Sequence, residues 1–347
     1  PSWLVHRSQS ASIEMATKRA KATGCNFGKP YCDYSAHERV SLEFQGHQLY
    51  GYVFRPSGDA AASGDRSGSL PCMMIWPQYC GMMEYHITVA RWIADLGYIA
   101  LVCDYYSDAQ VPHQIRNVSQ YGLDSPERAM HRKIALEAMN TQLQRPQTVF
   151  RALVRAFFET AQALTGVNPE EIAAMGFCYG GIAVLEMWRQ GLDVKGIVSL
   201  HGVFETKPIA LGPGHAPPPV LDTTVDPAVY AKNCKVLIEH GEKDHVAPPD
   251  MVERFRWEMS DPGLDIQFVI HYGVGHGFAL APGLDGHHPA ADARSYRHII
   301  DFMRELFPRV VQNNLPQKTP SGFPLYPAPV SSSPHHTQGD VSTHEGI

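Results

Sequence analysis

The sequence predicts an α/β fold in which a mostly parallel sheet of about eight strands is covered by helices on both faces. Short apolar runs alternate along the chain with segments of helical periodicity, and this alternation is typical of parallel sheets. The runs Leu70–Trp76 and Tyr98–Cys103 have no polar face, as expected of strands that are buried on both sides. Hydrophobic residues form 44% of the 347-residue chain, which is enough for a sizeable core.

The predicted elements follow one another in a regular order. Arg39–Phe44 and Gln48–Phe54 read as two strands around a turn at Gln45–His47, and we expect this hairpin to form the antiparallel edge of the sheet. The buried strands predicted after it are Leu70–Trp76, Tyr98–Cys103, Glu171–Gly176, Gly196–Leu200, Cys234–Glu239 and Ile266–His271. The predicted helices are Tyr85–Leu96, Pro126–Leu164 with a break near Pro146, Gly180–Arg189 and a closing helix that carries Tyr296, Ile299, Ile300, Met303 and Phe307 on one face.

A single domain, residues 35–310, accounts for all of these elements. Residues 1–34 are polar and irregular and are predicted to be an N-terminal tail. From residue 311, and most clearly from Pro316, the chain becomes rich in Pro and Ser and has little to bury. Residues 311–347 are therefore predicted to be a disordered C-terminal tail.

Charge and composition exclude several classes of function. The 29 Lys and Arg residues are outnumbered by 35 Asp and Glu residues, and the net charge of −6 argues against nucleic-acid binding. No apolar run approaches the roughly 18 residues of a membrane-spanning helix, so we expect no membrane association. Seven cysteines, an odd number with several in apolar runs, indicate free thiols and a cytoplasmic location. No Cys or His spacing predicts a metal site.

The segment Ala173–Ile182 reads as a strand, then Gly-x-Cys-x-Gly, then a helix. In a nucleophile elbow, the nucleophile lies on a strained turn between strand and helix, and its neighbours are small because the turn leaves no room for a Cβ. Cys178 takes the position that Ser more often holds, and the helix N-terminus favours its thiolate. For this motif alone, a buried cysteine beside a glycine-rich helix start is an equal alternative.

Two downstream turns strengthen the catalytic interpretation. Val236–Pro248 is a strand followed by a Gly-x-x-Asp turn that carries Asp244, and Gly273–Phe278 is a glycine-rich loop that carries His276. The order nucleophile, acid, base is that of the α/β-hydrolase triad. All three residues follow the carboxyl ends of predicted strands, where open α/β sheets place their sites. Together these signals predict a functional triad.

The residue types assign a role to each member of the triad. Cys178 would attack an acyl carbon, His276 would take up and return a proton, and Asp244 would fix the imidazole tautomer. An oxyanion hole needs two N–H donors. One would be the backbone N–H of Tyr179, the residue after the nucleophile, and the other should come from the loop after Leu70–Trp76.

The Gly176–Gly181 elbow with its cysteine, the Gly241–Pro248 turn and the Gly275–Phe278 loop resemble the dienelactone hydrolase family. The resemblance covers about residues 35–310, and the Cys elbow is its most specific part because most α/β-hydrolases use Ser there. It implies an α/β-hydrolase fold and hydrolysis of a small carboxylic ester or lactone through a thioester acyl-enzyme, with no cofactor. Known members open the enol-lactone ring of dienelactone to maleylacetate. We expect a monomer or a weak homo-oligomer.

Two positions depart from the family pattern. The best-known bacterial members carry a Glu where this chain has Gln78, and Gln cannot accept a proton from the resting thiol. The next residue, Tyr79, would supply the second oxyanion N–H. The family's H-x-F-x-R motif becomes His276–Leu280, with Phe278 kept and Leu280 in place of the Arg that holds a substrate carboxylate. Gln78 and Phe278 are the expected pocket residues, and a neutral ester or lactone is easier to accommodate than anionic dienelactone.

Three other features have two interpretations each. The basic patch at residues 128–133 is expected to be a solvated helix face, although one of its cations could replace the missing Arg. His201 either lines the pocket or is a hydrogen-bonded core residue. Asp104 ends a predicted strand, and we expect a loop or cap residue there rather than the working acid.

The predicted function is hydrolysis of a small ester or lactone, and two alternatives stay open. Gln78 and Leu280 motivate a catalytically lapsed binding or regulatory module on the same fold. An exposed Cys178 thiolate could instead serve as a redox-responsive thiol. An acyl adduct on Cys178 after incubation with an activated ester distinguishes the hydrolase from the binding module.

Overall fold

The computed structural model describes residues 34, 37–57, 68–116, 121, 124–206, 230–260, 263–280, 282, 284, 286–310 and 315–326. Its strands are β1 (Arg39–Phe44), β2 (His47–Phe54), β3 (Leu70–Trp76), β4 (Ile99–Asp104), β5 (Val167–Phe177), β6 (Gly196–Leu200), β7 (Lys235–Lys243) and β8 (Asp265–Gly275). They form one eight-stranded sheet in the order β1-β2-β4-β3-β5-β6-β7-β8. From β4 to β8 every neighbouring pair is parallel. The predicted fold class and strand number are confirmed.

The helices lie on both faces of this sheet. They are α1 (Glu84–Asp95), the short α2 (His113–Arg116), α3 (Pro126–Leu143), α4 (Gln147–Ala163), α5 (Tyr179–Arg189), α6 (Pro249–Glu258) and α7 (Pro289–Leu306). The apolar residues of α3, α4, α5 and α6 form one core with the sheet, and those of α1 and α7 form a second core on the opposite face. The predicted break near Pro146 separates α3 from α4, since Pro cannot continue the hydrogen bonding of a helix.

The hairpin of β1 and β2 forms the antiparallel edge, as predicted. β1 pairs with β2, and β2 pairs antiparallel with β4. Phe44 faces His47 across the turn, so the turn has two central residues rather than three. Gln45 and Gly46 have φ values of 51° and 76°. Two successive positive φ values match the twist of the flanking strands in a two-residue hairpin.

The prediction of a disordered tail from residue 311 is wrong for residues 315–326. Leu325 is fully buried, the indole of Trp92 donates to the carbonyl of Lys318 at 3.0 Å, and the hydroxyl of Thr319 donates to the carboxylate of Asp292 at 2.9 Å. This segment has too little apolar surface to form a core, but it packs on α1 and α7 and uses their polar side chains as partners. The rest of the predicted tail lies outside the described residues.

The predicted N-terminal tail also lies outside the described residues, except for Tyr34. Tyr34 is buried, and its ring packs edge-on against Tyr52 of β2 with the centroids 5.9 Å apart. Within the described part of the chain, no helix is both long and apolar enough to span a bilayer. The same residues contain no group of three or more His, Cys, Asp or Glu side chains placed to hold a metal ion.

Candidate active site

The turn between β5 and α5 has the geometry of a strained elbow. Cys178 has φ 52° and ψ −112°, a region that residues with a Cβ rarely adopt. Its N–H donates to the carbonyl of Leu200 at 3.1 Å, and its carbonyl accepts from the N–H of Gly181 at 2.9 Å and that of Val203 at 3.0 Å. These bonds hold the unfavourable backbone conformation in place.

The elbow requires glycines at two positions because the neighbouring backbone leaves no room for a side chain. A Cβ on Gly176 would lie 2.1 Å from the carbonyl oxygen of Gly180, and a Cβ on Gly180 would lie 2.1 Å from the carbonyl oxygen of Trp76. Both distances are far below contact with rigid backbone, so any side chain would force the segments apart. The start of α5 therefore packs directly against the end of β3, which brings the loop after β3 next to Cys178.

Asp244 lies in the turn after β7 and is bound through both carboxylate oxygens. Its Oδ1 accepts from the N–H groups of Val246 at 2.9 Å and Ala247 at 3.0 Å. Its Oδ2 lies 2.8 Å from Nδ1 of His276. Burial alone would raise the pKa of Asp244, but His276 and the two backbone donors outweigh burial and lower this pKa below its ordinary value. The carboxylate is thus ionised at neutral pH.

His276 connects the acid to the nucleophile. Asp244 occupies Nδ1, and the ring also hydrogen-bonds to the thiol of Cys178, which leaves Nε2 as the atom that faces sulfur. Burial lowers the pKa of His276, but the negative charges of Cys178 and Asp244 oppose burial and raise the pKa to about 10. The three residues predicted as a triad are therefore brought together in one hydrogen-bonded series.

The raised pKa of His276 predicts that its ring is positively charged throughout the neutral range. The imidazolium persists below about pH 10, whereas an ordinary histidine of pKa about 6.5 is mostly neutral above about pH 7. We expect the imidazole resonances of His276 in NMR spectra to keep the chemical shifts of an imidazolium between about pH 7 and about pH 9. A ring that becomes neutral within this interval would contradict the ion pair with Asp244.

The two predicted oxyanion donors lie on the segments that pack against each other here. Tyr179 is the first residue of α5, where a backbone N–H has no partner within the helix. Tyr79 lies in the turn after β3, in which the N–H of Gly81 donates to the carbonyl of Gln78 at 2.8 Å. Among the described residues, no acceptor takes the N–H of Tyr79 or that of Tyr179. Both N–H groups are therefore compatible with the predicted role of oxyanion donors.

The two expected pocket residues are both buried. Gln78 is 2% exposed; its Nε2 donates to the sulfur of Met83, while its Oε1 has no partner in the described part of the chain. Phe278 is fully buried, with its ring centroid 5.3 Å from that of His201 and 4.9 Å from that of His271. Phe278 therefore packs against His201 and His271 and anchors the loop that carries His276. Leu280 is also buried and offers no charge.

His201, for which the sequence allowed two interpretations, lies directly against His276. Its ring is fully buried and meets the ring of His276 edge to face, with the centroids 5.2 Å apart. Neither of its ring nitrogens has a partner among the described residues. Burial, aided by the charge of His276, lowers its pKa well below the ordinary value. His201 is thus a neutral aromatic neighbour of the triad.

Asp104 is not the acid of this site. It ends β4, where its carboxylate lies 2.6 Å from Nη1 of Arg116 and 3.1 Å from Nε2 of His113. Both Asp104 and Arg116 are buried, and Arg116 also donates to the carbonyl of Val111 at 2.8 Å. This ion pair orders the chain after β4, so the role is structural.

The interpretation of the basic patch as a solvated face is wrong for two of its members. Arg128 and His131 are buried on the inner side of α3, whereas Arg132 and Lys133 are exposed. The difference follows from helical periodicity, because residues 128 and 131 share a face with the core. The charge of Arg132 opposes the burial-driven rise in the pKa of Tyr79, which places this cation near the loop after β3.

Two residues that the sequence did not indicate contact the oxyanion segments. The hydroxyl of Tyr105 reaches the carbonyls of Pro77 and Gln78, and the side chain of Gln142 binds the hydroxyl of Tyr179. Tyr105 directly follows β4, so the rule that strand ends carry site residues could have found it. Gln142 lies within α3 and carries no such signal.

Comparison with known proteins finds relatives that cover most of this chain. A 2-oxo-3-(5-oxofuran-2-ylidene)propanoate lactonase, described as probable, from Bradyrhizobium sp. is 24% identical over 274 residues, which are 78% of this chain and 94% of that protein. The solved structure of a dienelactone hydrolase-like promiscuous phosphotriesterase from metagenomic libraries has a TM-score of 0.55 and 22% identity, and covers 78% of this chain and 98% of its own.

A third relative shares the same fold over a similar span. It is a dienelactone hydrolase, so named on a provisional basis, from Klebsiella pneumoniae; its structure has a TM-score of 0.55 and 21% identity, and covers 77% of this chain and 98% of its own. The family model for dienelactone hydrolases matches residues 59–307, from before β3 to the end of α7. That span contains the cysteine elbow, the aspartate turn and the histidine loop, and the chain belongs to the dienelactone hydrolase family.

Proposed function

We propose that the protein hydrolyses a small carboxylic ester or lactone through Cys178, His276 and Asp244. The observation that carries this proposal is the hydrogen-bonded series in which the strained elbow cysteine contacts a histidine whose Nδ1 is held by a buried carboxylate. The family supports hydrolysis in general. The nucleophile and the thioester route are inferred from the arrangement of the side chains.

In the first half of the proposed reaction, the Cys178 thiolate attacks the carbonyl carbon and a C–S bond forms. The electron pair of the C=O bond moves to oxygen, where the N–H groups of Tyr79 and Tyr179 stabilise the negative charge. The tetrahedral intermediate then collapses and breaks the C–O bond to the leaving group. His276 gives its Nε2 proton to the departing oxygen, and a thioester remains on Cys178.

In the second half, water attacks the thioester carbon while the now neutral His276 takes its proton. The second tetrahedral intermediate expels the Cys178 thiolate, and the carboxylic acid is released. Asp244 keeps the Nδ1–H of His276 in place in both halves, so that Nε2 always faces the reacting atoms. The thiolate and imidazolium of the resting state are thereby regenerated.

Two features favour a neutral substrate over an anionic one. Gln78 is uncharged, and Leu280 is buried apolar surface where a carboxylate-binding Arg would stand. The relative from Bradyrhizobium is named a lactonase, so a lactone ring is a reasonable form of the ester. If an anionic lactone is accepted, Arg132 is the exposed cation on α3 whose charge reaches Tyr79.

We further propose that the reaction needs no cofactor and that the protein works as a monomer or a weak homo-oligomer in the cytoplasm. The proposed reaction uses only protein groups and water. The described cysteines, Cys72, Cys80, Cys103, Cys178 and Cys234, are all free and buried, which suits a reducing compartment.

The test is incubation with a neutral aryl acetate and with dienelactone, followed by product assay and intact mass. We expect turnover of the aryl acetate and a transient adduct of one acetyl group that maps to Cys178. Turnover of dienelactone as well would extend the substrate range to anions and would call for a cation such as Arg132 to bind the carboxylate. Absence of both turnover and adduct would overturn the proposal in favour of a binding module.

A further inference from the structure

Buried hydrogen bonds link the two segments that carry the backbone donors of the proposed oxyanion hole. The hydroxyl of Tyr105 binds the carbonyl of Gln78, and the amide of Gln142 binds both the backbone carbonyl of Tyr105 and the hydroxyl of Tyr179. Together with Tyr105, which joins them covalently, these bonds form a series. The side chains of Tyr105 and Tyr179 are 2% and 1% exposed, and Gln142 is buried in α3. All members are uncharged.

The first end of the series fixes the orientation of one peptide plane. The hydroxyl of Tyr105 hydrogen-bonds to the carbonyl oxygen of Gln78 and lies 2.8 Å from that of Pro77. The carbonyl of Gln78 and the N–H of Tyr79 belong to the same planar trans peptide and point in opposite directions. Because Tyr105 and the N–H of Gly81 both bind this carbonyl, the peptide cannot rotate, and the N–H of Tyr79 is held on the other side.

The second end fixes the residue after the nucleophile. The hydroxyl of Tyr179 donates to Oε1 of Gln142 at 2.8 Å, and Nε2 of Gln142 donates to the carbonyl of Tyr105 at 3.2 Å. The ring of Tyr179 packs edge-on against that of Tyr105, with the centroids 5.4 Å apart, and against Phe150 at 5.7 Å. Gln142 thus binds the backbone of one tyrosine and the side chain of the other.

We propose that Tyr105 and Gln142 are positioning residues that hold the N–H groups of Tyr79 and Tyr179 at a fixed separation for the oxyanion. This inference rests on the proposed function. Catalysis by an oxyanion hole depends on donors that are already oriented before charge develops, because a donor that must rotate loses part of its stabilising effect.

The test removes single hydroxyl groups and keeps every ring. Tyr105→Phe and Tyr179→Phe each break one bond of the series at a different place, so one variant can replace the other if folding fails. Tyr106→Phe is the matched control, because the Tyr106 hydroxyl is also buried but has no hydrogen-bond partner among the described residues. Circular dichroism checks the fold of each variant.

Two readouts separate positioning from general disruption. The first is kcat and KM for a neutral aryl acetate, which passes through an oxyanion. The second is the rate of Cys178 alkylation by iodoacetamide, a displacement at a saturated carbon that forms no oxyanion. Loss of one complete oxyanion donor costs about a hundredfold to a thousandfold in kcat, so a displaced donor should cost less.

For Tyr105→Phe and Tyr179→Phe we expect kcat to fall about tenfold to a hundredfold, with KM and the alkylation rate each within about twofold of wild type. Tyr106→Phe should match wild type in all three quantities. An unchanged kcat in both variants, or an alkylation rate that falls in parallel with kcat, would overturn the inference. A wild-type protein that forms no acyl adduct refutes the proposed function itself, before any variant is compared.

Discussion

Cys178→Ala is expected to lower kcat/KM for a neutral aryl acetate by at least about a thousandfold, the range seen when a nucleophile is removed from a catalytic triad. The loss follows because the variant removes the sulfur that would form the bond to the acyl carbon. Cys178 lies at the tip of the elbow with φ 52°, its thiol hydrogen-bonds to His276, and glycines make room for the turn. A continuous assay of aryl acetate hydrolysis measures the effect.

The matched control is Cys234→Ala. Cys234 is also a free, buried cysteine, but it precedes β7 at the amino end of the sheet, opposite the elbow. It should lose little activity while showing whatever cost in thermal stability comes from truncating a buried thiol. Retention of more than about a tenth of the wild-type rate in a folded Cys178→Ala protein would contradict covalent catalysis by this residue.

The fold was predictable because its signals are local. The strands β3, β4 and β6 consist almost entirely of apolar residues, and the whole of each is buried in the structure. The elbow was predictable for the same reason: the close approach of backbone segments around Cys178 requires glycines at fixed positions, and those glycines are visible in the sequence. The placement of Asp244 and His276 follows from the rule that parallel strands bring their carboxyl ends to one edge.

The features that the sequence did not reveal depend on contacts between distant segments. Gln142 reaches Tyr179 across 37 positions, and nothing in helical periodicity separates this glutamine from a solvated one. Residues 315–326 have the composition of a disordered segment, yet Thr319 and Leu325 find partners on a helix that precedes them. Long-range partners of this kind override local propensity, because burial is decided by the completed fold.

Asp244→Asn is expected to lower kcat by up to about ten-thousandfold, since the same change in a serine protease triad has an effect of that size. The structure gives the reason. Oδ1 of Asp244 accepts from the N–H groups of Val246 and Ala247, and an Asn side chain would keep these bonds through its carbonyl oxygen. Its NH₂ group must then face Nδ1 of His276. An NH₂ group can only donate a hydrogen bond, so Nδ1 has to become the acceptor.

That forced orientation places the imidazole proton on the wrong nitrogen. With Nδ1 as an acceptor, the proton of a neutral His276 lies on Nε2, so the ring can no longer act as a base towards a thiol or a water molecule. Loss of the carboxylate also removes one of the charges that raise the pKa of His276. Both hydrolytic half-reactions should therefore slow. The Asn side chain has the same size as Asp244 and keeps the hydrogen bonds that hold the turn after β7.

Asp250→Asn is the control, and Asp244→Asn itself also tests the redox alternative. Asp250→Asn removes an exposed carboxylate from α6 and should leave kcat within about twofold of wild type. If the protein were a thiol sensor, Cys178 oxidation by peroxide would be the relevant reaction, and Asp244→Asn would barely change it. A hydrolase loses turnover with this variant because each turnover moves protons through Nε2 of His276, whereas oxidation of a thiolate requires no such transfer.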